Sequence, residues 1–136
     1  MDKLIETALP LSRINARTIS ERTIAGHPAN MHMWWGRSPH YSSIVSLTAA
    51  LVDAPESLEE IRNRSERVLE ANYAEFGDKP RVFDPFSGFG GIPLAAQMLG
   101  LPAIASDLNP VAVMLTKAAT EIPARFAGCG PVNPIS

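Results

Sequence analysis

Residues 81–110 read RVFDPFSGFGGIPLAAQMLGLPAIASDLNP, and this stretch determines the fold expected for the chain. It opens with a short apolar run that ends in an acid, Asp84, and continues into a glycine-rich turn. A helix should follow, because apolar residues recur at helical spacing as far as Gly100, which stands where a C-terminal cap belongs. A second apolar run then ends in Asp107. This order predicts a β-α-β unit with parallel strands.

The two acids and the glycine loop together predict a site for a nucleotide-type ligand. In a β-α-β unit the ligand lies beyond the carboxyl ends of the strands, where the loop after Asp84 and the side chain of Asp107 would both lie. Glycines would let the backbone approach the ligand, because a Cβ would occupy that space. A carboxylate at the end of the second strand can accept hydrogen bonds from both ribose hydroxyls. The pattern therefore favours a cofactor that contains adenosine.

Two common phosphate-binding motifs are absent from this stretch. The dinucleotide fingerprint G-x-G-x-x-G, read from Gly88, requires glycine where the chain has Pro93. A P-loop requires Gly-Lys-Ser/Thr, and no lysine lies between residues 80 and 116. The sequence therefore argues against phosphate recognition by this loop.

Several segments resemble S-adenosylmethionine-dependent amino-methyltransferases that act on DNA. Residues 84–91, DPFSGFGG, resemble their D-P-F-x-G-x-G motif, and residues 106–110, SDLNP, are similar to their second motif. Residues 34–39, WWGRSP, resemble a tryptophan-glycine-arginine signature in a family of large prokaryotic adenine-specific DNA methylases. Residues 4–7 and 121–126 are also similar to that family, so the resemblance covers most of the chain.

The resemblance implies an α/β protein with a partial Rossmann-like methyltransferase fold. A helical N-terminal region would be followed by a β-α-β-α unit with parallel strands. Residues 1–80 would form the N-terminal extended and helical segment, and residues 81–126 the start of the methyltransferase domain. Residues 127–136 would be a loop tail, and we expect the domain to be truncated there.

By the same resemblance, S-adenosylmethionine is the expected cofactor. Asp84 and the loop at residues 88–90 would hold its methionine end, and Asp107 its ribose. We further expect residues 34–37 to close over the methionine end, with Arg37 near its carboxylate. The alternative is that the tryptophans anchor the core and Arg37 pairs with an acidic neighbour. The full predicted cofactor set is Asp84, Phe86, Gly88, Gly90, Asp107, Leu108, Trp35 and Arg37.

One motif of these enzymes is missing. Amino-methyltransferases carry a D/N/S-P-P-aromatic motif that binds the target amino group and stacks on the flipped base. This chain has no Pro-Pro pair, and residues 133–136, NPIS, keep two letters of the motif. We therefore predict no catalytic residue and no methylation by this chain alone. The implied partners are DNA and a C-terminal half or second subunit, encoded by a truncated gene, a split subunit or a separate half.

Three functions remain open at this point. The first is the S-adenosylmethionine-binding part of a DNA (adenine-N6) methyltransferase, with a role in restriction-modification or genome marking by analogy. The second is a non-enzymatic half-domain that completes its sheet against another chain. The third is a fragment of a nicotinamide-dependent oxidoreductase, because Asp107 alone does not distinguish one ribose donor from another.

The composition is ordinary for a soluble domain. The 136 residues are 46% hydrophobic and 19% charged. No apolar run approaches the roughly 18 to 20 residues of a membrane span, and the N-terminus is too polar for a signal peptide. The single Cys129 fits a reducing compartment, so we expect a cytoplasmic protein without membrane contact. The spacing of His27, His32 and His40 fits no common ligand pattern, and we expect no metal.

Net charge and local patterns supply the remaining expectations. A net charge of −2 argues against a non-specific grip on DNA, although basic residues exceed acidic ones within residues 1–40. A short helix over residues 2–8 and an extended segment from there to Met33 are expected. Further helices should begin at Ser38 as N-cap, at Ser57, and at Asn109 as N-cap. These three helices should end at residues 53–55, at Gly77 and at Pro123, respectively.

Overall fold

The computed structural model describes residues 2–21, 26–36, 38–57, 59–61, 63 and 80–130. Short 3-10 turns occupy Leu4–Glu6 and Pro28–Asn30. The helices are α1 (Leu11–Ser20), α2 (His40–Leu51), α3 (Gly91–Met98) and α4 (Pro110–Phe126), and the strands are β1 (Val82–Asp84) and β2 (Ala103–Ala105). The order of the last four elements, β1-α3-β2-α4, is the one predicted.

Helix α1 replaces the extended segment that the sequence predicted, so that prediction was wrong. Residues 11–20 contain neither glycine nor proline, but a helix of only 10 residues needs tertiary packing to be stable in water. Ile14 supplies it, since its side chain is buried in a cluster with Leu4, Tyr41, Val45 and Ala49. Tertiary packing therefore selects the helix where periodicity was too weak to indicate it.

The start of α2 differs by one residue from the expectation. Pro39, not Ser38, is the N-cap, and no side chain of the cap residue bonds to the helix. Instead, Tyr41 N donates to Glu21 Oε1 at 2.5 Å, so the end of α1 satisfies a free amide of α2. The helix ends at Leu51, just before the predicted stop at residues 53–55.

The other N-terminal expectations are met in part. The helix predicted over residues 2–8 is a 3-10 turn, Leu4–Glu6, in which Lys3 N donates to the Glu6 carboxylate. Residues 59–61 are helical and Ile61 N donates to Ser57 O, as expected for the helix that begins near Ser57. Its continuation to Gly77 lies outside the described residues.

The β-α-β unit follows the sequence prediction closely. Strands β1 and β2 are parallel, and Phe83 is in register with Ile104. Helix α3 connects them and ends in paired backbone bonds, from Gly100 N to Gln97 O and from Leu101 N to Ala96 O. Gly100 has φ of 69°, so the predicted glycine cap is confirmed.

Helix α4 begins as predicted and ends later than predicted. Asn109 is the N-cap, with its side-chain oxygen accepting from Val111 N at 2.9 Å, and Pro110 occupies the first turn. Pro123 does not end the helix, which continues to Phe126. A proline removes its own amide and crowds one carbonyl, and here the residues that follow complete a single exposed turn. Residues 127–130 are not helical, and residues 131–136 lie outside the described part.

The two faces of the sheet are covered unequally. Helix α3 packs on both strands, and α2 and α4 pack on α3. Side chains alternate along a strand, which places Phe83 and Ile104 together on the opposite face, where they are 64% and 55% exposed. The described residues thus form a mixed helix and sheet structure of α/β type with two parallel strands. Within them, no helix combines the length and apolar character that crossing a membrane requires.

Candidate functional site

The strand ladder continues beyond β1 and β2 and joins the glycine loop to the chain that follows β2. Ser106 N donates to Asp84 O at 2.9 Å, and Ser87 N donates to Ser106 O at 3.0 Å. These backbone bonds hold the start of the loop beside residues 106 and 107. The carboxyl ends of both strands therefore lie side by side. Asp84 is the last residue of β1, and Asp107 lies two residues after β2.

Asp107 ties the glycine loop to the end of β2. Its Oδ2 accepts from Gly88 N at 2.8 Å, and its Oδ1 accepts from Asn109 N at 2.9 Å. These bonds, first that from Asn109 and then that from Gly88, lower the pKa of the carboxyl group, because backbone amides stabilise its ionised form. Asp107 is therefore an ionised side chain that organises the loop around it.

Asp84 organises the turn that leaves β1. Its carboxyl group is buried, and Oδ1 accepts from Phe86 N at 3.1 Å. An acid that bonds to the amide two residues ahead stabilises a turn. The side chain of Phe86 consequently projects outward and is 80% exposed.

The two loop glycines are required by contacts within the protein. Gly88 and Gly90 have φ of 51° and 87°, a region that other residues rarely adopt. A Cβ on Gly90 would lie 2.9 Å from the Thr116 Cα, and one on Gly88 would lie 3.1 Å from the Trp34 Nε1. Protein groups thus occupy the space that the sequence reasoning reserved for a ligand at these two positions.

Thr116 is a residue of the site that sequence reasoning missed. It is buried on α4, and its hydroxyl oxygen lies 3.0 Å from Ser87 Oγ and 3.3 Å from Gly88 O. It thereby fastens the glycine loop to the helix after β2. The available signal was a hydroxyl residue on the same helical face as Ala112 and Ala119, where an apolar residue would be expected.

Trp34 and Trp35 lie against each other, and Trp34 lies beside the glycine loop. Their ring centroids are 5.6 Å apart, and Trp35 is 94% exposed whereas Trp34 is partly buried against Gly88. It is therefore Trp34 that contacts the loop, although Trp35 was the residue predicted for the cofactor set. Arg37, predicted to meet the cofactor carboxylate, lies outside the described residues.

A small cavity of about 100 Å³ borders the loop. Three of the predicted residues, Asp84, Phe86 and Gly88, line it, together with parts of the segment before α2 and the start of α3. Gly90, Asp107, Leu108 and Trp35 do not line it. Leu108, which follows Asp107 in the chain, is 97% exposed. The structure thus brings part of the predicted set together.

A larger cavity, of about 320 Å³, lies between β2, α3 and α4. Its lining includes Ala103 and Ala105 of β2 and Lys117 and Glu121 of α4, and Ser87 lines both cavities. The cavity lies beside β2, whose residues are all exposed, and no pattern in the sequence indicated it. Among the described residues, no group of three or more histidine, cysteine or acidic side chains is placed to hold a metal ion.

Comparison with known proteins places the chain in a family without settling its activity. Neither the curated proteins nor the solved structures contain a match to it. A family model described as a protein of unknown function, DUF1156, matches residues 8–76, about half of the chain. The match covers α1, the tryptophan pair and α2, and ends before the glycine loop. The chain belongs to this family of proteins of unknown function, DUF1156.

Proposed function

We propose that this chain is the S-adenosylmethionine-binding N-terminal part of a DNA (adenine-N6) methyltransferase with a Rossmann-like fold, and that it does not methylate DNA alone. The observation that carries the proposal is the bond from Gly88 N to Asp107 Oδ2. It fixes the glycine loop against the acid after the second strand, at the sheet edge where α/β proteins bind nucleotides. The resemblance of residues 84–91 and 106–110 to methyltransferase motifs supplies the choice of cofactor.

Asp107 retains capacity for the ribose hydroxyls of the cofactor. A carboxylate offers about four lone-pair positions; the amides of Gly88 and Asn109 take two of them, and the Leu108 amide also acts on the group. The acceptor capacity that is left would accept from the 2′ and 3′ hydroxyls. The exposed Leu108 would then give the adenine ring an apolar surface beside the ribose.

The small volume of the cavity suggests that a second polypeptide segment completes the walls of the site. A cavity of about 100 Å³ is smaller than the roughly 300 to 1,000 Å³ typical of small-molecule sites. Phe86, Leu108 and Trp35 are exposed, and further protein packed over them would deepen the site. The bound cofactor would supply an electrophilic methyl group, and this chain would hold and orient it. The C-terminal half would supply the target-base pocket and the contacts to DNA. The complete enzyme would act in the cytoplasm.

Calorimetric titration with S-adenosylmethionine tests the cofactor assignment. We expect saturable binding, weakened at least tenfold by Asp107→Ala because the ribose contacts and the loop anchor are lost together. Leu108→Ala should weaken binding less, since it removes surface without disturbing the loop. Glu59→Ala is the matched control, an exposed acid that lines neither cavity, and should bind as the parent does. Binding of nicotinamide dinucleotide in preference would instead support an oxidoreductase.

A second experiment separates a partial enzyme from a complete one. Transfer of labelled methyl groups to DNA should be undetectable with the purified chain, because residues 1–136 lack the D/N/S-P-P-aromatic motif. Turnover on DNA would contradict the proposal. The open edges of the β1 and β2 sheet favour one alternative, a non-enzymatic half-domain that completes another chain. In that alternative the chain contributes the cofactor pocket or a DNA contact to an assembly, so binding of S-adenosylmethionine should require the completing chain.

A further inference from the structure

The outer edge of β2 presents backbone hydrogen-bonding groups that no strand meets. Ser106 N donates to Asp84 O at 2.9 Å, so the backbone groups of residue 106 and of every second residue before it face β1. Those of Ala103 and Ala105 therefore point to the other side. The sheet formed by the described residues ends at β2, and all of β2 is exposed. The N–H and C=O groups of both alanines thus form a row along an open edge.

The edge of β2 is better suited to pairing than the outer edge of β1. On β1 the residue that faces outward is Phe83, and the next outward position is Pro85, which has no amide hydrogen. Proteins usually protect an open edge with charged side chains, prolines or bulges. Residues 103–105, Ala-Ile-Ala, contain neither a charge nor a proline. The edge of β2 therefore has the features of one that a further strand covers.

A strand beside β2 would also cover the larger cavity. Ala103 and Ala105 line this cavity of about 320 Å³ together with Lys117 and Glu121 of α4. Alternate side chains of an added strand would point toward the helices and enter the cavity, and the others would lie beside the exposed Ile104. Within the described part of the chain, Lys117 and Glu121 form no ion pair with each other. The expected strand therefore alternates apolar residues with polar or charged ones.

The order of the two cavity charges relative to β2 follows from contacts of α4. Gln97, in the last turn of α3, donates from its Nε2 to Thr120 O at 3.2 Å, so this part of α4 lies near the start of β2. Thr116 lies instead against the glycine loop, at the carboxyl ends of the strands. Glu121 is therefore nearer the start of β2, and Lys117 is nearer its end.

We propose that the outer edge of β2 binds an extended strand of the C-terminal half, parallel to β2, with a basic side chain facing Glu121 and, after it, an acidic one facing Lys117. A row of N–H and C=O groups selects another extended backbone as its partner. Helices α3 and α4 lie on the same face of the sheet, so a right-handed connection through α4 brings a following strand to this edge, parallel to β2. The inference rests on the proposed function for the source of the strand, and adds its position, direction and charge order.

Titration of the full chain with a synthetic peptide tests the strand site. The probe is acetyl-TVKVEVT-amide, and the matched peptide acetyl-TVEVKVT-amide exchanges its two charges. We expect saturable NMR shifts and slower hydrogen exchange at the amides of Ala103 and Ala105, with the Phe83 amide unchanged. The matched peptide should bind at least about threefold more weakly, because both charge pairs become repulsive. No binding of the probe, shifts centred on Phe83, or equal affinity for both peptides overturns the proposal.

Backbone changes separate strand pairing from other contacts. Ala105→Pro removes an amide that points away from β1, so the ladder between β1 and β2 remains and probe binding should weaken at least tenfold. Phe83→Pro removes the corresponding amide on the outer edge of β1 and should leave binding unchanged. In the probe, N-methylation of the three valine amides or of the lysine and glutamate amides blocks opposite edges, so one peptide should lose binding and the other keep it. Equal binding of the two methylated peptides contradicts strand pairing whether or not the variants fold.

Sedimentation and cofactor titration distinguish this inference from its neighbours. The chain without peptide should sediment as a monomer, and a dimer that Ala105→Pro abolishes would mean that a second copy occupies the edge, which overturns the proposal. Probe binding does not require S-adenosylmethionine. A chain that binds the probe and not the cofactor therefore contradicts the cofactor assignment alone, and a chain that binds the cofactor and not the probe contradicts the strand site alone.

Discussion

The helical N-terminal region and the β-α-β-α region differ in where they bury their apolar residues. The first closes its own core around Leu4, Tyr41 and Val45. The second contains the glycine loop and both acids, yet leaves Phe83 and Ile104 exposed on one sheet face and all of β2 open. Parallel sheets are ordinarily covered on both faces. Among the described residues, the region with the recognisable motifs is therefore the one that leaves more of its apolar sheet surface exposed.

The largest effect should come from the closed core. Leu4→Ala removes a fully buried side chain and should lower the free energy of unfolding by about 2 to 5 kcal/mol. Phe83→Ala removes a larger side chain that is 64% exposed and should change it by less than about 0.5 kcal/mol. Urea denaturation of both variants measures the contrast. Equal losses would show that the open sheet face is covered in solution.

A comparable effect should come from the glycine loop. Gly90→Ala places a Cβ 2.9 Å from the Thr116 Cα and forces a left-handed conformation that costs about 1 to 2 kcal/mol. Displacing α4 should add about 1 to 3 kcal/mol. Gly128→Ala has a similar φ of 81° with no neighbour within 4 Å, so it measures the conformational cost alone. Identical denaturation midpoints for the two variants would refute the close approach of loop and helix.

The smallest effect should be the pH dependence that His40 contributes. Burial lowers the pKa of His40 below 6.5, with the nearby Glu21 opposing and His27 adding to this change. The unfolded chain therefore takes up the proton first as the pH falls. Above about pH 6.5, the neutral side chain makes its full contribution to the free energy of unfolding. This contribution is lost as the pH falls from there through the pKa of His40 in the folded protein.

Urea midpoints at pH 7.5 and 5.5 measure this contribution. The parent protein should lose more stability between these pH values than His40→Gln does. The variant of the exposed His32, His32→Gln, should behave as the parent. A parent and a His40→Gln variant with the same pH profile would contradict a buried neutral histidine.

Local chemistry made the β-α-β unit and its loop predictable. Asp84, Gly100 and Asn109 each act within a few residues of their own position, as strand end, helix cap and helix start. The resulting parallel pair was predicted correctly; β1 ends at Asp84 as expected, and β2 ends at Ala105, two residues before Asp107. The joining of the two strand ends then follows, because residues at the carboxyl ends of neighbouring parallel strands lie side by side.

Contacts between distant residues were not predictable in the same way. Helix α1 depends on the burial of Ile14 in a core built from other elements. In the first turn of α2, the amide of Tyr41 donates to the distant Glu21. The anchoring of the loop by Thr116 depends on how α4 returns to it. The glycines show the same limit, since their pattern indicated a close approach without identifying Trp34 and Thr116 as the approaching groups.

Amide NMR of the labelled chain during titration with S-adenosylmethionine tests the location of the cofactor site most directly. Saturable shifts should be confined to the loop and the end of β2, at Phe86, Gly88, Gly90 and Leu108, with Gly26 and Gly128 unchanged. This result would identify the loop as the cofactor site even at weak affinity. Shifts centred instead on Lys117 and Thr120, in the larger cavity, or no shifts in a folded chain, would contradict cofactor binding by the glycine loop.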